Sequence, residues 1–160
     1  MTEGEFAADL ENLRGQDAAA RRAALDPARS VIVQAPAGSG KTELLIQRYL
    51  ALLARVDSPE EIIAITFTRK ATAEMRARVL DALLRAENDT PPAKPHEFLT
   101  WRLARGARSH DSQARWNIAE NPNRLRIQTI DSLCHWLTLQ LPMLSGCAPK
   151  PESKIGRAHV

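Results

Sequence analysis

Aromatic side chains make up only 4% of this 160-residue chain, which has two cysteines and no long apolar run. Each shortage excludes something. Cys134 and Cys147 lie too far apart for a CxxC metal or redox motif, so both read as packing or surface residues of a protein in a reducing cytoplasm. No stretch approaches the roughly 18 apolar residues that a membrane-spanning helix needs. The start, Met1-Thr2-Glu3-Gly4-Glu5, is acidic and precedes no apolar core, which excludes a secretory signal. Charge of one sign is scarce too, the net value being +3. It is uneven, with twelve Lys/Arg against seven Asp/Glu from Arg69 to Arg126. That surplus permits a polyanionic partner without requiring one, because Arg-rich helices are ordinarily solvated faces. What remains, 44% hydrophobic and 26% charged, is the composition of one ordinary soluble domain.

The chain is punctuated. Ala7 to Leu25 reads as one or two helices, with a break at Gly15 and an end at Asp26-Pro27, where proline pushes the preceding residue out of the helical region. Ser30-Val31-Ile32-Val33-Gln34 is a β-branched run without alternation, which predicts a strand buried on both faces. A helix is predicted from about Lys41 to Ala54, with Leu44, Leu45, Tyr49, Leu52 and Leu53 as its apolar face. Ile62 to Thr66 predicts a second strand, and Arg69 to Ala86 a second helix burying Ala73, Met75, Val79, Leu80 and Leu83. Two successive strand–helix units argue for an α/β fold with a parallel sheet. Residues 96–118, with Trp101 and Trp116, read as a helical insertion, and Leu125 to Thr129 as a third strand. A short helix from Asp131 to Leu141 then begins at an acidic cap. The expected organisation is a helical segment (1–29), two strand–helix units (30–86), a helical insertion (87–123), a returning strand and helix (124–148), and an unstructured tail (149–160).

Ala35-Pro36-Ala37-Gly38-Ser39-Gly40-Lys41-Thr42 fits the phosphate-loop pattern, with alanine in place of the usual first glycine. Small residues let successive backbone N–H groups turn around a phosphate while the following helix presents its positive end. Lys41 would reach the β- and γ-phosphates, and the Thr42 hydroxyl would coordinate Mg²⁺. Nucleotide binding follows from this loop. The kind of protein does not, since kinases, transporters, switch GTPases and DNA motors all use it.

Two further blocks sit where a predicted strand ends and a helix begins, the rim at which α/β sheets bind ligands. In Ala64-Ile65-Thr66-Phe67-Thr68-Arg69-Lys70-Ala71-Thr72-Ala73-Glu74-Met75, the Thr66 and Thr68 hydroxyls could cradle a backbone phosphate and Phe67 could stack on a base. Taken alone, Phe67 reads more simply as core, Arg69 and Lys70 as solvated, and Thr68 as a helix cap. In Arg126-Ile127-Gln128-Thr129-Ile130-Asp131-Ser132-Leu133-Cys134, Thr129, Asp131 and Ser132 taken alone are most simply capping residues.

In combination, APAGSGKT, then AITFTRKATAEM about 25 residues later, then TIDSLC, resemble superfamily 1 DNA helicases of the UvrD/Rep/PcrA group. The wording VQAPAGSGKTELL and RLRIQTIDSLC is most similar to the branch holding the RecB and AddA helicase–nuclease subunits. The resemblance covers roughly residues 16–150. It implies a P-loop NTPase (RecA-like) sheet with flanking helices, incomplete here, and an ATP-dependent 3′→5′ helicase acting in DNA repair or recombination. Lys41 and Thr42 would bind ATP·Mg²⁺. Phe67, Thr68 and Arg69, and then Thr129, Asp131 and Ser132, would contact single-stranded DNA, and a helicase–nuclease partner subunit is implied. The sequence departs from the pattern in two places. Ala20 stands where relatives commonly carry an adenine-reading glutamine, the nearest being Gln16, and Asp131 stands where many have histidine.

By the resemblance the motor would also use an acidic DExx pair and arginines from a second motor domain; these 160 residues contain no Asp-Glu pair, and the second domain is expected to lie outside them. The family-like wording stops after about Glu152, so SKIGRAHV is expected to be non-native. The expectation is therefore an inactive portion of a helicase. The alternatives are a non-catalytic nucleotide- and DNA-binding remnant, or a phosphate-loop ATPase or kinase with no DNA role.

Overall fold

A computed structural model describes residues 17–36, 38–88 and 90–140. The expectations for residues 1–16, Ala37 and the tail from 141 onward lie outside them. In chain order come α1 (residues 17–24), α2 (Lys41–Leu53), β1 (Ile63–Thr66), α3 (Arg69–Arg85), α4 (Pro95–Ala114), β2 (Arg126–Thr129) and α5 (Ile130–Gln140). Single 3-10 turns, Pro59–Glu61 and Pro122–Arg124, lead into β1 and β2. Among the described residues no helix is long and apolar enough to cross a membrane.

The helices obey their apolar spacing, with shifts. α2 buries Leu44, Ile46, Gln47, Tyr49, Leu50 and Leu53, whereas Leu45, expected inside, is 53% exposed. α3 starts at Thr68, whose hydroxyl oxygen accepts the Ala71 N–H at 3.1 Å, and buries Met75, Val79, Ala82 and Leu83. Met75, Val79 and Leu83 face inward as expected, whereas Ala73 is exposed, Leu80 is half-buried and Ala82 joins the buried stripe. α4 begins with proline at its first position and ends where Arg115 takes a left-handed conformation (φ 56°). Its buried residues are small, Ala104 and Ala107, which lets it approach α2 closely. Trp116 follows the helix rather than lying on it, edge-on to His110 at 4.9 Å.

β1 and β2 pair in parallel, with Ile63 opposite Arg126 and Thr66 opposite Thr129. The expected strand over 30–34 is not formed. Residues 30–36 have no regular structure, and Val31, Ile32 and Val33 are 39%, 93% and 42% exposed. A strand is defined by its neighbour, and among the described residues the sheet contains only β1 and β2. An apolar run with no ladder to join stays irregular, whatever its β-propensity. β1 is likewise covered on one side only, leaving Ile63 and Ile65 exposed.

The core joins α2, α3, α4 and the sheet through one cluster that includes Ile46, Leu50, Leu53, Val79, Leu83, Ile118, Leu125 and Ile127. A polar seam runs beside it. Gln47, itself buried, donates to Thr100 Oγ1 at 2.9 Å, and Thr100 donates to Glu43 Oε1 at 2.5 Å.

The two 3-10 turns are clamped together ahead of the strands. Arg124 donates from Nε to Glu60 Oε1 at 2.6 Å and from Nη2 to Oε2 at 3.1 Å, and Ser58 also donates to this carboxylate. These hydrogen bonds from Arg124 and then Ser58 lower the Glu60 pKa to about 2. A depressed carboxylate pKa contributes stability above the unfolded value near 4.5 and loses it as pH falls toward 2. In thermal melts, Glu60→Gln should therefore lie below the parent at pH 7, and the gap should close as pH drops from 4.5 to 2. A gap that does not change with pH would remove the clamp.

Candidate functional site

The first candidate group is built at the start of α2. Gly38 and Gly40 adopt φ of 77° and 80°, a region that side-chain-bearing residues seldom enter, and a Cβ on Gly38 would meet only open space. The loop is thus tightly turned and open on one side, directly before a helix N-terminus. Lys41 folds back across it, its ammonium donating to Ala35 O at 2.6 Å and Pro36 O at 2.5 Å. Thr42 is exposed at its side. The Ser39 hydroxyl is buried and has no hydrogen-bond partner among the described residues. A cleft of about 340 Å³ adjoins the loop, lined by Ala20, Arg21, Ala24, Val33, Ser39 and Lys41 among others. No group of three or more His, Cys, Asp or Glu side chains among the described residues could hold a metal ion. A cation here would rely on the Thr42 hydroxyl together with ligand oxygens and water.

Two arginines missed by the sequence reasoning organise this region. Arg21 on α1 donates from Nη2 to Ser39 O at 2.6 Å while its Nε pairs with Asp17 at 2.7 Å. Arg48 on α2 donates to the carbonyls of Ala24, Asp26 and Arg29 at 2.5, 3.1 and 2.7 Å, tying the end of α1 to α2. Nothing in the sequence marks either one. Both lie in arginine-bearing helices, and their acceptors are backbone carbonyls 18 or more residues away.

The second candidate group lies at the C-terminal edge of the two strands. Thr66 and Thr129, more than sixty residues apart in the chain, stand in register there. Thr66 Oγ1 lies 2.6 Å from Thr72 Oγ1 and donates to Thr68 O at 3.2 Å, while Thr68 caps α3. Phe67 is 91% exposed, so it is not core, and Arg69 and Lys70 project beside it into solvent. Across the edge, buried Thr129 accepts the Ser132 N–H at 3.2 Å and lies 2.9 Å from its hydroxyl. This corrects the expected acidic cap: Thr129 caps α5, and Asp131 is exposed in the first turn. Arg126 lies 4.4 Å from the Trp136 ring centroid on the neighbouring helix. The two strand-end motifs are therefore brought together. Among the described residues, no hydrogen bond or ion pair links this edge to the loop before α2.

Three comparisons bear on these motifs. An ATP-dependent helicase/nuclease subunit of Clostridium botulinum is 35% identical over 68 residues, covering 41% of this chain and 6% of that protein. DNA helicase II of Escherichia coli is 49% identical over 61 residues, covering 37% of this chain and 8% of the relative. DNA helicase II of Salmonella typhimurium is 48% identical over 60 residues, with the same shares. The chain thus spans less than a tenth of the length of these curated relatives. No solved structure matches it significantly. The model of the UvrD/REP helicase N-terminal domain matches residues 16–151, and the chain belongs to that family.

Proposed function

We propose that this chain is the ATP-binding portion of an ATP-dependent 3′→5′ DNA helicase of repair or recombination, built on a RecA-like P-loop fold. The observation that carries the reading is the loop before α2, with two left-handed glycines and Lys41 drawn across its mouth. Two features support reading residues 35–42 as a phosphate cradle: the turn is open at Gly38, and the buried Ser39 hydroxyl has no partner among the described residues. Lys41 would exchange its two carbonyls for phosphate oxygens, and the helix N-terminus would add its N–H groups. Thr42 would hold Mg²⁺, which when bound supplies neutralisation of phosphate charge. The sequence contains no Asp-Glu pair, so the chain alone is read as binding ATP without turning it over.

The exposed strand edge supports a DNA role over that of a plain phosphate-loop ATPase. Thr68 and Ser132 are exposed and offer hydroxyls, half-buried Thr66 and buried Thr129 hold the two turns in place beneath them, Asp131 lies among them, Arg69 offers charge, and Phe67 offers a bare ring for stacking. Like the relatives named as helicase/nuclease subunits, the whole protein would act with a partner subunit, in the cytoplasm. Phe67→Ala tests the DNA assignment. Base stacking is worth about 1–3 kcal/mol per base, so affinity for a labelled oligothymidine should fall on the order of tenfold by anisotropy. ATP binding should be retained. Equal DNA affinity in variant and parent would withdraw the edge from DNA.

A further inference from the structure

We infer that Arg21 is a positioning residue for the phosphate loop, holding the Ser39–Gly40 peptide in one of its two possible orientations. The inference rests on the reading of residues 35–42 as a phosphate cradle. In a trans peptide the C=O and N–H point to opposite sides. Arg21 draws Ser39 O toward itself at 2.6 Å, so the Gly40 N–H is held facing away from the arginine. Turning that peptide over would rotate ψ of Ser39 and φ of Gly40. Glycine accepts either sign of φ, so the backbone itself offers little resistance. The resistance comes from the charge-assisted bond to the guanidinium.

The guanidinium is well placed for this. Asp17 fixes its Nε at 2.7 Å, and Nη1 lies so near the loop that a Cβ on Gly40 would approach it to 3.4 Å. α1 is in turn anchored by Arg48 through the carbonyls of Ala24, Asp26 and Arg29. A cradle works by presenting several N–H groups to one anion, and a peptide turned over replaces a donor with a repelling carbonyl. Arg21 therefore acts on nucleotide affinity without touching the nucleotide.

The test uses the full 160-residue chain in two arms. In ¹⁵N–¹H spectra without nucleotide, Arg21→Ala should shift and broaden the Gly40 amide while those of Leu50 and Val79 stay in place. In titrations with a fluorescent ATP analogue and Mg²⁺, affinity should fall about tenfold in Arg21→Ala and recover in large part in Arg21→Lys, with the melting temperature unchanged. Should Arg21→Ala not fold, Asp17→Asn frees the guanidinium without touching the loop and should produce a smaller shift of the same Gly40 amide. A Gly40 amide unmoved by these changes overturns the inference. Failure of the parent to bind the analogue would instead overturn the phosphate-cradle reading, and the spectral arm would still decide the role of Arg21.

Discussion

Lys41→Ala should lower the affinity of the full chain for MgATP by roughly 100-fold while leaving its melting temperature nearly unchanged. The two effects separate because of where the side chain spends its bonds. Among the described residues its ammonium donates to Ala35 O and Pro36 O, neutral acceptors at a half-open loop, which water can satisfy once the lysine is gone. Substitutions at such positions ordinarily change stability by no more than about 0.5 kcal/mol. Against phosphate the same ammonium makes charge-assisted bonds, worth roughly 1.5–3 kcal/mol each, and about 2.7 kcal/mol is a hundredfold in affinity. Titration with a fluorescent ATP analogue, paired with a thermal melt of the same sample, measures both quantities. Parent-like affinity in the variant would remove the phosphate-loop assignment. A collapse of the melting temperature would make Lys41 a structural residue.

The second large effect is on stability, and it sets two leucines of one helix against each other. Leu50 is fully buried where α2 meets α3 and α4, whereas Leu45 on the same helix is 53% exposed. Leu50→Ala removes several methyl and methylene groups from a packed site and leaves a cavity, at a cost of about 3 kcal/mol. Set against a whole-domain stability of roughly 5–15 kcal/mol, that loss is severe. Leu45→Ala should change stability by no more than about 0.5 kcal/mol. Urea unfolding of both variants gives the comparison, and Ile46→Val, expected to cost about 1 kcal/mol, extends it if Leu50→Ala does not fold. Equal losses at positions 45 and 50 would mean that α2 is turned differently on the core.

Those two leucines also show how far the sequence could be read. The existence of α2 and α3 was legible because apolar residues recur every three to four positions, and the end of each helix was right to within a residue. The periodicity was looser about which residues face inward. Leu45 and Ala73 were placed inside and Ile46, Leu50 and Ala82 overlooked, because runs such as Leu44-Leu45-Ile46 fit more than one stripe. Only the position of α4 and the sheet decides between them.

By itself the sequence determined the local chemistry: the glycines that permit a left-handed turn at 38 and 40, the lysine and threonine that follow, the helices, and the family motifs. These depend on backbone sterics and short-range spacing, which neighbouring residues carry within themselves. Tertiary structure alone decided which distant groups meet. It set Thr66 beside Thr129, exposed Phe67 at that edge, made Thr129 rather than Asp131 the cap of α5, and laid Arg21 on the Ser39 carbonyl. It also left Val31-Ile32-Val33 without a strand, although their β-branched run suits one. The physical reason is common to all of these. A ladder, an arginine on a remote carbonyl and a solvent-facing ring are pairwise or environmental properties, which no single segment encodes before the chain has folded around it.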